Sequence, residues 1–348
     1  MVPGDLSERE RRVLEAVIQA YVETAEPAGS RTLSRRFELG VSPATIRNTM
    51  SDLEEKGYLF HPHTSAGRVP TDKAYRAYVN SLSSVQPIAS PLRDKLAEEL
   101  SAGGSAIESI LRRAAQSLSV ITQELGVAIG PQFDRSVLQQ LELARLSSDR
   151  ILVVLTLSGG AMRTIFVEAR AEMADDSFAE VTQLLNERLA GLTVREIRTT
   201  LASRLRDTRP RSEHARELLN VFVQEGEQLF DVDRMPSESS IVLGQAAVLA
   251  EQPEFATGEN MRRLLELTDT RHQLATVLQD RTDQQGMTIT IGNEHSDPRL
   301  ERFTVVTAEY RAGELAGVIG VIGPTRMPYE KIISIVHHTS RLLTELLD

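Results

Sequence analysis

The chain has neither cysteine nor tryptophan among its 348 residues, and only 4% of them are aromatic. Lack of cysteine excludes a disulfide scaffold, a thiolate zinc site and a cysteine nucleophile together. So few aromatic rings argue against a platform that stacks the bases of single strands. Long hydrophobic runs are missing as well: stretches such as Leu315–Ile322 fall far short of the roughly 20 residues a membrane helix needs. The opening MVPGDLSERERR has no apolar segment of the secretory kind, so the expected compartment is the cytoplasm. What is present is ordinary for a globular chain, 41% apolar and 25% charged. At about 150 residues per domain the length predicts two to three domains.

An excess of positive charge is also lacking, since the formal net charge is −10. Its distribution matters more than its sum. Residues 1–80 hold eleven Lys/Arg and eleven Asp/Glu, so the whole excess of acid lies beyond them. Phosphate would repel that acidic body, so any contact with duplex DNA must come from the first eighty residues. From Ser30 to Asn80 the balance turns to eight basic against five acidic residues.

Ser7-Glu8-Arg9-Glu10 spells a capping box. Behind it Val13, Leu14, Val17, Ile18, Tyr21 and Val22 recur at helical spacing, up to a break at Pro27-Ala28-Gly29. Ser30 is expected to cap a short second helix with Leu33 and Phe37 inward and Arg31, Arg35 and Arg36 outward. A third helix is predicted from an N-cap at Ser42, with Pro43 in the first turn, to a stop at Gly57. Ile46, Met50 and Leu53 share its inner face; Ala44, Arg47, Asn48, Ser51 and Glu55 lie opposite, flanked by Thr45 and Asp52. Tyr58-Leu59-Phe60 and the stretch around Val69 then read as a hairpin, with His61–Arg68 between them.

Three helices followed by a hairpin is the order of a winged helix-turn-helix, in which the third helix enters the major groove. The expected DNA-binding residues are Arg31, Ser42, Thr45, Arg47, Asn48 and Ser51 on the helices and His63, Thr64, Ser65 and Arg68 on the wing. Arg47 suits guanine O6/N7 and Asn48 suits adenine N6/N7; the wing residues suit phosphates or the minor groove. A helix-turn-helix that serves only protein contacts is the blander alternative.

The stretch Leu6–Glu10, Glu26-Pro27 with Gly29-Ser30, Val41-Ser-Pro-Ala-Thr-Ile-Arg-Asn-Thr-Met-Ser-Asp-Leu-Glu-Glu-Lys-Gly-Tyr-Leu59 and the wing run His63–Asp72 resemble the heat-inducible transcription repressor HrcA family. That resemblance implies a multidomain α+β chain: the winged helix-turn-helix, then a GAF-like domain interrupted by a helix-rich dimerisation domain. It also implies a repressor acting on an inverted repeat upstream of chaperone operons, relieved on heat shock and kept active by the chaperonin. A homodimer follows from physics too, because one recognition helix reads only a few base pairs. The rival reading is a winged-helix regulator whose GAF-like domain senses a small-molecule effector.

Beyond residue 80, the Ser/Pro-rich 81–91 reads as a linker. Helical periodicity runs over Leu92–Gly126 with a break at Gly103-Gly104. Leu138–Leu146 alternates partly, and Ile151–Leu157 with Met162–Ala169 forms a hairpin around Gly159-Gly160. Met287–Ile291, Phe303–Tyr310 and Leu315–Ile322 are further strands, and Tyr329–Leu347 an amphipathic helix. The expected domains are 1–80, the GAF-like halves 92–175 and 286–348, and an insert at 176–285 containing helices at Ala179–Leu189, His214–Phe230 and Asn260–Asp280. Gly317, Gly320 and Gly323 do not make a dinucleotide fingerprint and read as a closely packed strand. His337-His338 point about 100° apart on a helix, and Gly292–Asp297 has no second cluster at ligand spacing, so no metal or cofactor is expected. The Ile291-Gly292-x-Glu294 segment resembles a recurrent feature of the family without an assigned role. No catalytic constellation stands out, and no enzyme is expected.

Overall fold

The structure is a computed structural model that describes residues 6–63, 67–82, 84–102, 107–131, 136–147, 150–158, 162–168, 175–230, 241–269, 274–275, 277–278, 281, 286–313 and 315–347. It is a mixed α+β chain, and it divides into two compact units.

The first unit spans 1–129, 241–310 and 318–346. It begins with α1 (Glu8–Thr24), whose capping box forms as the sequence predicts: Ser7 N and Oγ donate to Glu10 Oε2 at 2.7 and 2.8 Å, and Glu10 N donates to Ser7 Oγ. Ala25, in the left-handed region at φ 55°, turns the chain out of the helix. α2 (Ser30–Arg36) differs from expectation at its start. Gly29 is the N-cap and makes no side-chain bond, while Ser30 is the first helical residue and is buried, so its hydroxyl does not cap. α3 (Pro43–Glu55) matches its predicted signals: Ser42 Oγ accepts from Thr45 N at 3.1 Å, and Gly57 at φ 76° follows the last turn. Ile46, Met50 and Leu53 are buried against α1 and α2. Each contributes about 1.5–3 kcal/mol of burial. β1 (Leu59–Phe60) and β2 (Val69–Pro70) pair antiparallel, and α4 (Asp72–Ser81) follows, capped by Thr71.

Glu10 ties α1 to the end of α3, because Lys56 Nζ lies 2.9 Å from its carboxylate. The backbone hydrogen bond from Ser7, then Lys56, holds Glu10 down to about 2. A carboxyl depressed in the fold stabilises above its unfolded value near 4.3 and stops doing so as pH falls toward 2. Glu10→Gln is therefore expected to lower the melting temperature at pH 7 and to flatten its decline between pH 5 and 3. Equal pH slopes for the two proteins in thermal melts would refute this.

The same unit carries α5 (Ser90–Ser101), α6 (Ile107–Thr122) and a five-stranded sheet in the order β7-β3-β10-β9-β8. Its strands are β3 (Leu125–Ile129), β7 (Ile241–Leu243), β8 (Met287–Ile291), β9 (Phe303–Ala312) and β10 (Leu315–Pro324). The helical stretch expected up to Gly126 ends at Thr122, and β3 begins at Leu125; buried at all five positions, that strand shows no alternation to mark it. The close packing expected of the β10 glycines is present at Gly320, where a Cβ would sit 2.1 Å from Val306 O. α10 (Ala247–Ala250) and α11 (Gly258–Asp269) share a core with this sheet through Leu249, Leu264, Leu267, Val305 and Ile322. The helix Tyr329–Leu347, labelled α12, has the bounds the sequence predicts.

The second unit spans 130–240 and takes in the hairpin tip 311–317. A three-stranded antiparallel sheet, β4 (Leu138–Arg145), β5 (Arg150–Leu157) and β6 (Met162–Glu168), packs one face on α7 (Asp175–Leu189), α8 (Val194–Leu205) and α9 (Glu213–Leu229). The glycine turn expected at 159–160 lies outside the described residues. These units do not coincide with borders drawn at 176 and 285. Strands β4–β6 belong with the helices that follow them, and α11 belongs with the larger sheet. Periodicity identifies a helix but not which apolar face it will cover.

Candidate nucleic-acid interface

Capping at Ser42 and Pro43 fixes where α3 begins, and its apolar stripe fixes which face turns outward. Ser42, Ala44, Arg47 and Asn48 are exposed on its leading half, while Thr45 and Ser51 are half-buried. Ser42 Oγ also lies 2.9 Å from Thr45 Oγ1, which orders the first turn. The row presented is thus two hydroxyls, a guanidinium and a carboxamide at the start of the helix, where Pro43 has no N–H and Thr45 N is already bound by Ser42 Oγ. Among the described residues no side chain covers or pairs with Arg47 or Asn48. Arg31 is exposed on the neighbouring α2.

On the wing, His63 is exposed, and Thr64 and Ser65 lie outside the described residues. Arg68 is placed differently from the free phosphate contact that its position suggested. Its guanidinium NH2 is 2.8 Å from Glu54 Oε2, its side chain is only 14% exposed, and its Nε is buried with no hydrogen-bond partner among the described residues. Its backbone exchanges two hydrogen bonds of 2.9 Å with Ala28. The other oxygen of Glu54 meets His61 Nδ1 at 2.7 Å. One carboxylate on the last turn of α3 therefore grips both arms of the hairpin. No local pattern signals this role, because Glu54 pairs with residues 7 and 14 positions away through the hairpin's register rather than through helical spacing.

Behind α3 the segment is fastened to the larger sheet. Thr71 Oγ1 donates to Gly57 O at 2.9 Å and Lys73 Nζ to Lys56 O at 2.7 Å, joining α4 to the end of α3. Asp72 Oδ2 accepts from Asn293 N and Nδ2, both at 3.0 Å. Arg76 Nε donates to Glu294 Oε1 at 2.6 Å, and its NH2 donates to Ile289 O at 2.7 Å and also pairs with Glu294 Oε2. Arg326 pairs with Glu254 and donates to Val22 O at the end of α1. The Ile291–Glu294 segment thus acquires a chemical role, as the socket for α4. Among the described residues no group of His, Cys, Asp and Glu could hold a metal ion, and no helix is long and apolar enough to cross a membrane.

Residues 108–333 match the HrcA protein C terminal domain. The heat-inducible transcription repressor HrcA of Geobacter sulfurreducens is 38% identical over 99% of both chains. The protein of the same name from Chlorobium phaeobacteroides strain BS1 is 40% identical over the whole of both. The chain belongs to the HrcA family. A solved structure described only as a hypothetical protein covers 99% of each chain with a TM-score of 0.59 at 23% identity, which places the fold. The relatives are transcription repressors by name, so in this HrcA-family chain the exposed start of α3 stands in a lineage of regulators.

Proposed function

We propose that this member of the HrcA family is a heat-inducible transcription repressor and that residues 6–81 form a winged helix-turn-helix whose α3 reads duplex DNA. The observation that carries this reading is the capped, uncovered leading end of α3, with Arg47 and Asn48 exposed beside Ser42. Arg47 reads guanine and Asn48 adenine, Thr45 and Ser51 flank them, and Arg31 and His63 approach phosphates. Arg68 acts indirectly, by holding the wing to Glu54. Two copies engage an inverted repeat, because a single helix of this length contacts too few base pairs for a genomic operator. The second unit, with its sheet backed by α7–α9, is the dimerisation module, and the larger sheet is the GAF-like body.

Heat acts by linkage: a partner that favours the DNA-binding state raises its population, and loss of that partner lowers it. The chaperonin suits this part through the family resemblance. The test is a titration of the full chain on a chaperone-promoter inverted repeat at fixed salt. Preference for that duplex over a scrambled one, with a stoichiometry of two chains per repeat, is expected; equal affinity for both duplexes overturns the assignment.

A further inference from the structure

Within the first unit a cleft of about 610 Å³ opens between the DNA-reading segment and the sheet body, a volume within the usual range for small-molecule sites. Phe60, Pro70, Lys73 and Tyr75 line it from one side. Arg302, Phe303 and Pro324 line it from the other. Phe60 is 44% exposed and has no partner ring among the described residues. Tyr75 is tilted 41° against Tyr329 with centroids 5.6 Å apart and is almost wholly buried, yet its hydroxyl has no hydrogen-bond partner among the described residues. Burial also pushes that phenol well above its ordinary value, so it stays a neutral donor.

The charges around the cleft are not all spoken for. Arg326 is paired with Glu254 and Arg263 with Glu259, while Asp72 keeps its charge and accepts from Asn293 N and Nδ2 through Oδ2. Among the described residues Lys73 donates to Lys56 O and lies 4.3 Å from the Tyr58 ring centroid, while Arg302 donates to Asn260 Oδ1. Among the described residues neither cation has a carboxylate partner. Glu301 stands exposed at the rim.

We propose that this cleft binds a small organic anion with a flat apolar body, its acidic group drawn by Lys73 and Arg302 and its rings laid against Phe60, Pro70 and Phe303. A hydroxyl or carbonyl on the ligand takes the Tyr75 hydroxyl. Because Lys73 and Tyr75 ride on α4, which is hydrogen-bonded to the end of α3, an occupant that also touches Arg302 braces α3 against the sheet body. That coupling rests on the reading of α3 as the DNA-contacting helix; the binding does not.

Anilinonaphthalene sulfonate is a suitable probe on the full-length chain, with uncharged N-phenyl-1-naphthylamine as its analogue. Fluorescence titration is expected to show sulfonate binding that weakens about tenfold in Arg302→Glu, through loss of one cation and gain of one anion. Tyr75→Phe should weaken it by a factor of about 3 by removing one hydrogen bond. Phe166→Ser, which removes an exposed phenyl group from the sheet of the other unit, should leave it unchanged. Unaltered binding in Arg302→Glu, or equally tight binding of the uncharged analogue, overturns the site. In a second arm, anisotropy of a labelled inverted-repeat duplex is read with and without saturating sulfonate. A shift in DNA affinity that Arg302→Glu abolishes supports the coupling, and no shift overturns it. Failure of the chain to bind any duplex overturns the DNA-reading assignment instead, while the fluorescence arm still decides the site.

Discussion

Replacing Arg47 with alanine is expected to cost about 1–3 kcal/mol of operator binding, a factor of roughly 5 to 150, and to relax discrimination at one base position. The size follows from where the side chain stands. It is exposed in the second turn of α3 and has no intramolecular partner among the described residues, so its two-pronged donor face is fully available to a base. For the same reason its removal leaves the fold alone: nothing is unpaired and no cavity forms, so the melting temperature should hold. Arg47→Lys separates charge from shape, since lysine keeps the attraction to phosphate but loses the bidentate fork. Lysine is expected to restore most of the salt-dependent affinity and little of the base discrimination. Anisotropy titrations on the operator, single-base variants and a scrambled duplex at one salt concentration would measure both. Equal losses on every duplex would move Arg47 to the phosphates and leave Asn48 as the base reader.

The extent to which such residues can be read from sequence follows from the range of the forces that place them. Ser7 and Glu10, or Ser42, Pro43 and Gly57, act within a turn of themselves, and both helices begin where those residues predict. β8 and α12 likewise carry their own periodicity and keep their predicted bounds. Ser30 misled because a good capping residue competed with Gly29 one position earlier, and the buried site took the serine into the helix. β3 was hidden because strands buried on both faces lose their alternation. The fastening of α4 was beyond local reading altogether: Arg76 and Glu294 are 218 residues apart, and neither is unusual in its own neighbourhood. Arg68 shows the same limit at the interface. An arginine in a hairpin looks like a phosphate contact until a carboxylate on the preceding helix turns it inward. Which residues of α3 stand exposed is legible in the sequence, and the groups that hold the helix and hairpin in place are not.

Gly67→Ala tests that hold most severely. A Cβ at Gly67 would lie 2.3 Å from Ala28 O and 2.4 Å from Ala28 C, both backbone atoms that no rotamer change can move. The two segments there are held by Arg68 N donating to Ala28 O and Ala28 N donating to Arg68 O. Making room means separating the two segments, which strains or breaks both bonds and draws Arg68 away from Glu54. Overpacking of this kind costs about 1–3 kcal/mol, and each lost hydrogen bond about 0.5–1.5 more, so the total is on the order of 3 kcal/mol. Operator affinity should fall about tenfold or more as the wing leaves its seat beside α3. Gly29→Ala is the matched control: its φ is −94° and the nearest atom to an added Cβ is Thr32 Oγ1 at 3.8 Å, an ordinary contact. That variant should melt within a degree or two of the parent and bind the operator equally well. Thermal melts and duplex titrations run on both proteins decide the matter. If Gly67→Ala behaves like Gly29→Ala in both, the wing does not depend on this close approach, and the Glu54 grip on His61 and Arg68 must suffice to orient it.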